Sequence, residues 1–157
     1  MNLTAPTNAV LGQATGAGNI VDDDTARLAM QGDPAVVEGN SGFNPVVFTA
    51  TLSTPAAFTV TLDYAVTSGF GVTGATADVD FVGTLASTLN LLPGQTAATF
   101  SVNVVGDTQP EHDEEFRADI SYANAPILFT TAFATILNDD GEVPDDEYSS
   151  FLPMVTG

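Results

Sequence analysis

The sequence has no cysteine, no tryptophan and no lysine; its basic side chains are Arg27, Arg117 and the single histidine, His112. Without cysteine there can be no disulfide, no thiolate zinc site and no thiol redox chemistry. Two arginines against 20 acidic residues leave a formal net charge of −18. Such a surface cannot neutralise phosphates, which argues against nucleic acid and anionic membrane as partners. No apolar run approaches the ~20 residues of a membrane span, so direct membrane insertion is not expected. Met1-Asn2-Leu3-Thr4 lacks the basic start and apolar core of a signal peptide. The chain is then either cytosolic or a processed product or piece of something longer, and the second is favoured. Means of catalysis are also scarce. One histidine, no G-x-S-x-G and no glycine-rich phosphate loop argue against an enzyme. Paired carboxylates could serve a glycosidase, but there is no tryptophan to form a sugar platform.

What is present is apolar–polar alternation of period two, with threonine on the wet positions and no helical periodicity. Ala26–Met30 and Ala35–Glu38 read as a first strand broken at Gly32-Asp33-Pro34, as edge strands often are. Val46, Phe48, Ala50 and Leu52 share one face of the next, and Val60, Leu62, Tyr64 and Val66 one face of a third. Leu85–Leu91, then Ala98, Phe100, Val102 and Val104, then Phe116, Ala118 and Ile120 follow, and a last strand covers Phe129–Leu137. This pattern predicts an all-β fold, an antiparallel β-sandwich of about seven strands.

If consecutive strands run in opposite directions, alternate connections share a pole. One pole then receives Glu38, Asp78, Asp80, the Asp107–Glu115 loop, Asp139 and Asp140. The other receives Thr54–Ala57, Pro93–Gln95 and Ala123–Pro126, none of them acidic. The densest acidic stretch is Gly106–Phe116, where Pro110 and Gly106 argue for a loop. Carboxylates this crowded repel by about 1 kcal/mol per pair at 4 Å in water, and more where water is excluded. They either splay into solvent or surround a cation. Acidity that serves only solubility or tolerance of high salt is the plain alternative, but scattered acids would not segregate to one pole. Oxygen-only donors on flexible loops suit Ca²⁺, which takes 6–8 oxygens, better than Mg²⁺. One imidazole among carboxylates scarcely favours a transition metal, so His112 reads as an exposed loop residue.

At these residues the sequence resembles the Calx-beta family, known from regulatory domains of sodium–calcium exchangers and from tandem arrays in bacterial surface proteins. The resemblance covers Thr25–Gly141 and rests on VVEGNSG at 36–42, ADVDF at 77–81, LLPGQTAATFSVNVVGDT at 91–108, PEHDEEF at 110–116 and ATILNDDG at 134–141. It implies a seven-stranded immunoglobulin-like sandwich that binds Ca²⁺ in loops at one pole. The metal positions it implies here are Glu38, Asp80, Asp107, Glu111, Glu114, Asp139 and Asp140. Gly106 and Asn138 stand where fuller versions of the site carry Asp, which implies roughly one or two Ca²⁺ ions rather than a packed cluster.

Three segments are expected: 1–24, resembling the terminal strand of a preceding Calx-beta repeat; the sandwich, 25–141; and an acidic tail, 142–157. Ile20-Val21-Asp22-Asp23-Asp24 echoes Ile136-Leu137-Asn138-Asp139-Asp140. The tail ends in an apolar plug, Phe151, Leu152, Met154 and Val155, which packs either on its own sandwich or on a neighbour. Leu152–Gly157 differs from a sortase signal by one extra residue, and no membrane tail follows it. Two functional readings follow. One is a calcium-stabilised module of an extracellular or cell-surface adhesion protein, its ions stiffening junctions with neighbouring Calx-beta modules. The other is a subunit of an extracellular filament, a homopolymer of identical subunits joined by a donated strand.

Overall fold

A computed structural model describes residues 25–141 continuously, together with residues 7, 8, 10 and 15–19. The expected N-terminal strand therefore lies largely, and the tail 142–157 entirely, outside the described residues. Among the described residues ten strands form, in chain order: β1 (Leu28–Gln31), β2 (Ala35–Val37), β3 (Gly42–Leu52), β4 (Val60–Thr67), β5 (Phe81–Gly83), β6 (Ala86–Leu91), β7 (Ala97–Gly106), β8 (Glu114–Ala123), β9 (Ile127–Phe129) and β10 (Thr131–Leu137). They make two five-stranded sheets, ordered β5-β7-β3-β1-β9 and β2-β10-β8-β4-β6. The class is all-β and the architecture a sandwich, as the alternation predicts. No helix among the described residues is long and apolar enough to cross a membrane.

The count of seven needs correction. Two predicted strands are each two, because the chain passes from one sheet to the other within them, and one short strand, β5, lies outside every predicted one. The first breaks between β1 and β2, where Gly32 takes φ +97° and Pro34 follows. The strand predicted over Leu85–Leu91 is preceded by β5, and Gly83, at φ +138°, sits at the step between sheets. The last breaks at Thr130, between β9 and β10. A strand that switches sheets rounds the corner of a sandwich and leaves less open edge. The switching also makes two pairings parallel, β1 with β9 and β10 with β2, where an antiparallel fold was expected throughout.

Val46, Phe48, Ala50 and Leu52 of β3 face Leu62, Tyr64 and Val66 of β4 and Phe116, Ala118 and Ile120 of β8 across a sealed interior. Aromatic rings run through it. Phe81 stacks on Phe116 at 4.3 Å between centroids, Phe116 meets Phe48 edge-on at 5.9 Å, and Phe48 stacks on Phe100 at 5.3 Å. Phe81 follows Asp80 directly and Phe116 lies two residues beyond Glu114, so this stack anchors two stretches of the acidic pole.

The acidic pole as a candidate metal site

The turn after β2, the segment before β5, the loop from β7 to β8 and the exit of β10 meet at one end of the sandwich. Gly42 pairs with Gly106 across β3 and β7, the Val105 N–H donates to the Asp80 carbonyl, and the Glu38 N–H donates to the Leu137 carbonyl. The opposite pole holds the connections after β3, β6 and β8, tied by the Gly94 N–H to the Ala56 carbonyl. A cleft there of about 280 Å³ is lined by Pro55, Ala56, Phe58 and Pro126 and has no acid in its walls.

At the acidic pole, oxygens of Asp80, Glu111 and Glu114 lie within 4.8 Å of one another. Asp80 is fixed by its own turn: one carboxylate oxygen accepts the Thr76 N–H at 2.6 Å while the Asp80 N–H donates back to the Thr76 carbonyl. Beside this trio stands Glu38, the buried charged residue of the described chain, 4% exposed. Burial and then the charges of Asp107, Glu111 and Asp140 push its carboxyl up to about 7, against a backbone hydrogen bond from Asp107 that favours the ionised form. Glu114 is also pushed up to about 7, by burial and then by Asp80, Glu111 and Glu38. Glu111 is raised by burial and by Asp80 and Asp107. Six of the seven predicted carboxylates thus feel one another as a single cluster: Glu38, Asp80, Asp107, Glu111, Glu114 and Asp140.

Asp139 is placed differently. It is exposed, and its Oδ1 accepts the Gly39 N–H at 2.9 Å, joining the β10 exit to the turn after β2. Asp113, in the same acidic run, accepts the Asn138 N–H at 3.0 Å and so clamps loop to exit. Asp78 is exposed at φ +67°, a turn position, and His112 is exposed. Holding residues that sequence reasoning missed are asparagines. Asn40 donates to the Asp140 carboxylate, and Asn44 reaches back to the Glu38 carbonyl at 2.7 Å. Asn138 Oδ1 accepts the Asp140 N–H at 3.2 Å, giving this position a structural task where an aspartate was the implied alternative. The run Glu38-Gly39-Asn40 carried a turn signal, but nothing in it reports a partner a hundred residues away.

Gly106 has a steric cause. A Cβ there would sit 2.2 Å from the Gly39 carbonyl oxygen and 2.9 Å from that of Glu38. The turn carrying Glu38 packs directly on the Gly106 backbone, so no larger residue fits this arrangement.

The donor set suits a hard cation. Every candidate atom is a carboxylate oxygen, and Asp140 Oδ2 is buried without any hydrogen-bond partner. A buried anionic oxygen without a donor is costly unless a cation meets it. Neither arginine answers that need: Arg117 pairs with Asp119 at 3.0 Å on the outer face of the second sheet and lies over the Phe70 ring, and exposed Arg27 lies in the opposite half, at the start of β1.

No family model matches the chain. Over 80 residues, 51% of its length, it is 33% identical to the human FRAS1-related extracellular matrix protein 2, and the match spans 2% of that protein. Among solved structures, the apo-form Calx CBD1 domain superposes with a TM-score of 0.63 at 22% identity, over 74% of this chain and 100% of that domain. The calcium binding domain CBD12 of CALX1.1 gives a TM-score of 0.61 at 22% identity, over 73% of this chain and 46% of that one. The chain has the Calx-beta-like fold.

Proposed function

We propose that this chain is a calcium-binding structural module of an extracellular protein. The ion would draw the loops of the acidic pole together and stiffen the junction with whatever module adjoins it. The observation that carries this reading is the convergence of Asp80, Glu111 and Glu114 within 4.8 Å beside the buried Glu38 and the partnerless Asp140 Oδ2. Glu38, Asp80, Asp107, Glu111, Glu114 and Asp140 would hold the ion, with Asp139 bracing the exit of β10. Calcium is preferred to magnesium because the donors are many, anionic and carried on separate loops, which tolerate irregular coordination of 6–8 oxygens. A bound divalent ion would supply the positive charge that cancels the repulsion raising Glu38 and Glu114. The extracellular placing draws on the matrix protein relative, and the calcium on the calcium binding domain that shares the fold.

Isothermal titration of the chelator-stripped chain with CaCl₂, and in parallel with MgCl₂, tests the reading. Saturable uptake of calcium in simple stoichiometry, with magnesium weaker, is expected. Absence of stoichiometric calcium uptake, or magnesium bound as well as calcium, would contradict it.

A further inference from the structure

At the acid-free pole, the cleft of about 280 Å³ lies between Thr25–Ala26, Pro55–Phe58 and Ala125–Pro126. Ala56 and Ala125 are buried in it, while Phe58 stands 54% exposed. Backbone bonds hold its walls together: the Leu28 N–H donates to the Pro126 carbonyl, the Ser53 N–H to the Arg27 carbonyl and the Gly94 N–H to the Ala56 carbonyl. Its volume is at the small end of the range for ligand pockets, about 300–1,000 Å³, so it admits a few side chains and not a folded surface. None of the described residues that line it is ionisable, and exposed Arg27 follows Ala26 of the lining directly. The strands of the first sheet, β1, β3, β5, β7 and β9, contain no Asp or Glu either.

The sequence holds a segment of matching chemistry. Phe151, Leu152, Met154 and Val155 form an uncharged apolar run behind Glu142, Asp145, Asp146 and Glu147, beyond the described residues. Apolar side chains match the cleft, and the acids ahead of them match Arg27 beside it. Arg117, the other arginine, already pairs with Asp119.

We infer that the plug, Phe151–Val155, docks in this cleft on a second copy of the chain, head to tail. Reach decides between the copy's cleft and the chain's own. The chain leaves the sandwich through Gly141 at the acidic pole, and the cleft lies at the other end. β3 alone, 11 residues long, spans about 33 Å between the poles. The cleft lies beyond its last residue, Leu52. Gly141 and Phe151 are ten residues apart, at most about 33–36 Å when fully stretched and roughly half that when not. The chain's own cleft is therefore at or past the limit of a straight, stretched path. The cleft of a copy set end-on against the acidic pole is within easy reach. Charge favours the same order. Two chains of −18 repel where acids face acids, whereas head to tail an acid-free pole meets an acidic one. The contact is heterologous, so its repetition yields an open chain of subunits and not a closed dimer. No carboxylate of the acidic pole takes part, so the contact stands apart from calcium binding.

The test is sedimentation velocity of the full chain in chelator at physiological ionic strength, from micromolar to near-millimolar concentration. Species that grow from dimers to longer assemblies with concentration are expected. Leu152→Glu in the plug and Phe58→Glu in the cleft each carry a charge into an apolar contact and weaken association at least about tenfold, with an unchanged melting temperature. Mixed in equal amounts, the two variants recover a single heterodimer at the parent's affinity, because one intact plug and one intact cleft remain. Only a plug and cleft on different copies complement in this way. Ala57→Glu, at an exposed position of the same cleft, replaces Phe58→Glu should that variant fold poorly. A parent that stays monomeric at every concentration overturns the inference, a plug seated in its own cleft included. Assemblies that survive both substitutions, or variants that fail to complement, overturn it equally.

Discussion

Glu38 concentrates the tension of this molecule in one side chain: a carboxyl closed off from water, with Asp107, Glu111 and Asp140 as neighbours. Glu38→Gln keeps the shape and removes the charge. In chelator at pH 8 this variant is expected to melt above the parent, since buried repulsion is gone; in excess calcium it should gain less than the parent does. Differential scanning calorimetry in the two buffers reads both signs, and a variant less stable in chelator would contradict the electrostatic account. The pH dependence of the metal-free chain follows from the same groups. Burial and the neighbouring carboxylates push Glu38 and Glu114 up from an ordinary 4.5 to about 7 in the fold. Between those values the folded state holds protons that the unfolded state has released. Their contribution to stability is therefore fully present below about 4.5 and lost as pH rises through about 7. The metal-free chain should melt lower at pH 8 than at pH 6, and calcium should narrow that gap. Gly106→Ala tests packing instead of charge. Its Cβ would meet the Gly39 carbonyl, and such overpacking costs roughly 1–3 kcal/mol, measurable as a shift in the denaturation midpoint.

At the scale of elements, β5 and β8 carry the site on a rigid footing. Asp80 and Glu114 flank Phe81 and Phe116, whose rings stack at 4.3 Å and 13° in the core. Phe116→Ala should cost about 3–5 kcal/mol of stability. It should also weaken calcium binding, because β8 then no longer fixes Glu114 against Asp80. Urea unfolding and a calcium titration of the same variant check the two effects, and an unaltered calcium affinity would uncouple the stack from the site. These elements also show what the sequence made legible. Alternation reported which residues enter the core, because the interior stays on one side of the chain along each strand. For the same reason it concealed the sheet switches. At the corner between β5 and β6, Phe81, Leu85, Leu89 and Leu91 keep their period while the backbone changes partners, so two short strands read as one or one went unread. The carboxylates were legible as a local density and a parity of loops. Their holders were not, because Asn40 with Asp140 and Gly39 with Asp139 join segments a hundred residues apart.

At the scale of the whole molecule, charge is sorted: acids at one pole, none in the walls of the opposite cleft, none along the first sheet. A net charge of −18 opposes the compact state through self-repulsion. Added NaCl should accordingly raise the melting temperature of the metal-free chain, and the rise should be smaller once calcium is bound. The measurement that bears most directly on the central claim is calorimetric melting of the stripped chain with calcium and with chelator, set beside the double variant Asp107→Asn, Asp140→Asn. Calcium at a hundredfold excess over its dissociation constant adds about 2.7 kcal/mol to a fold that alone binds it. A clear upward shift is expected in the parent, with most of it lost in the double variant. A parent that melts at the same temperature in both buffers, or a double variant that keeps the full shift, would contradict it.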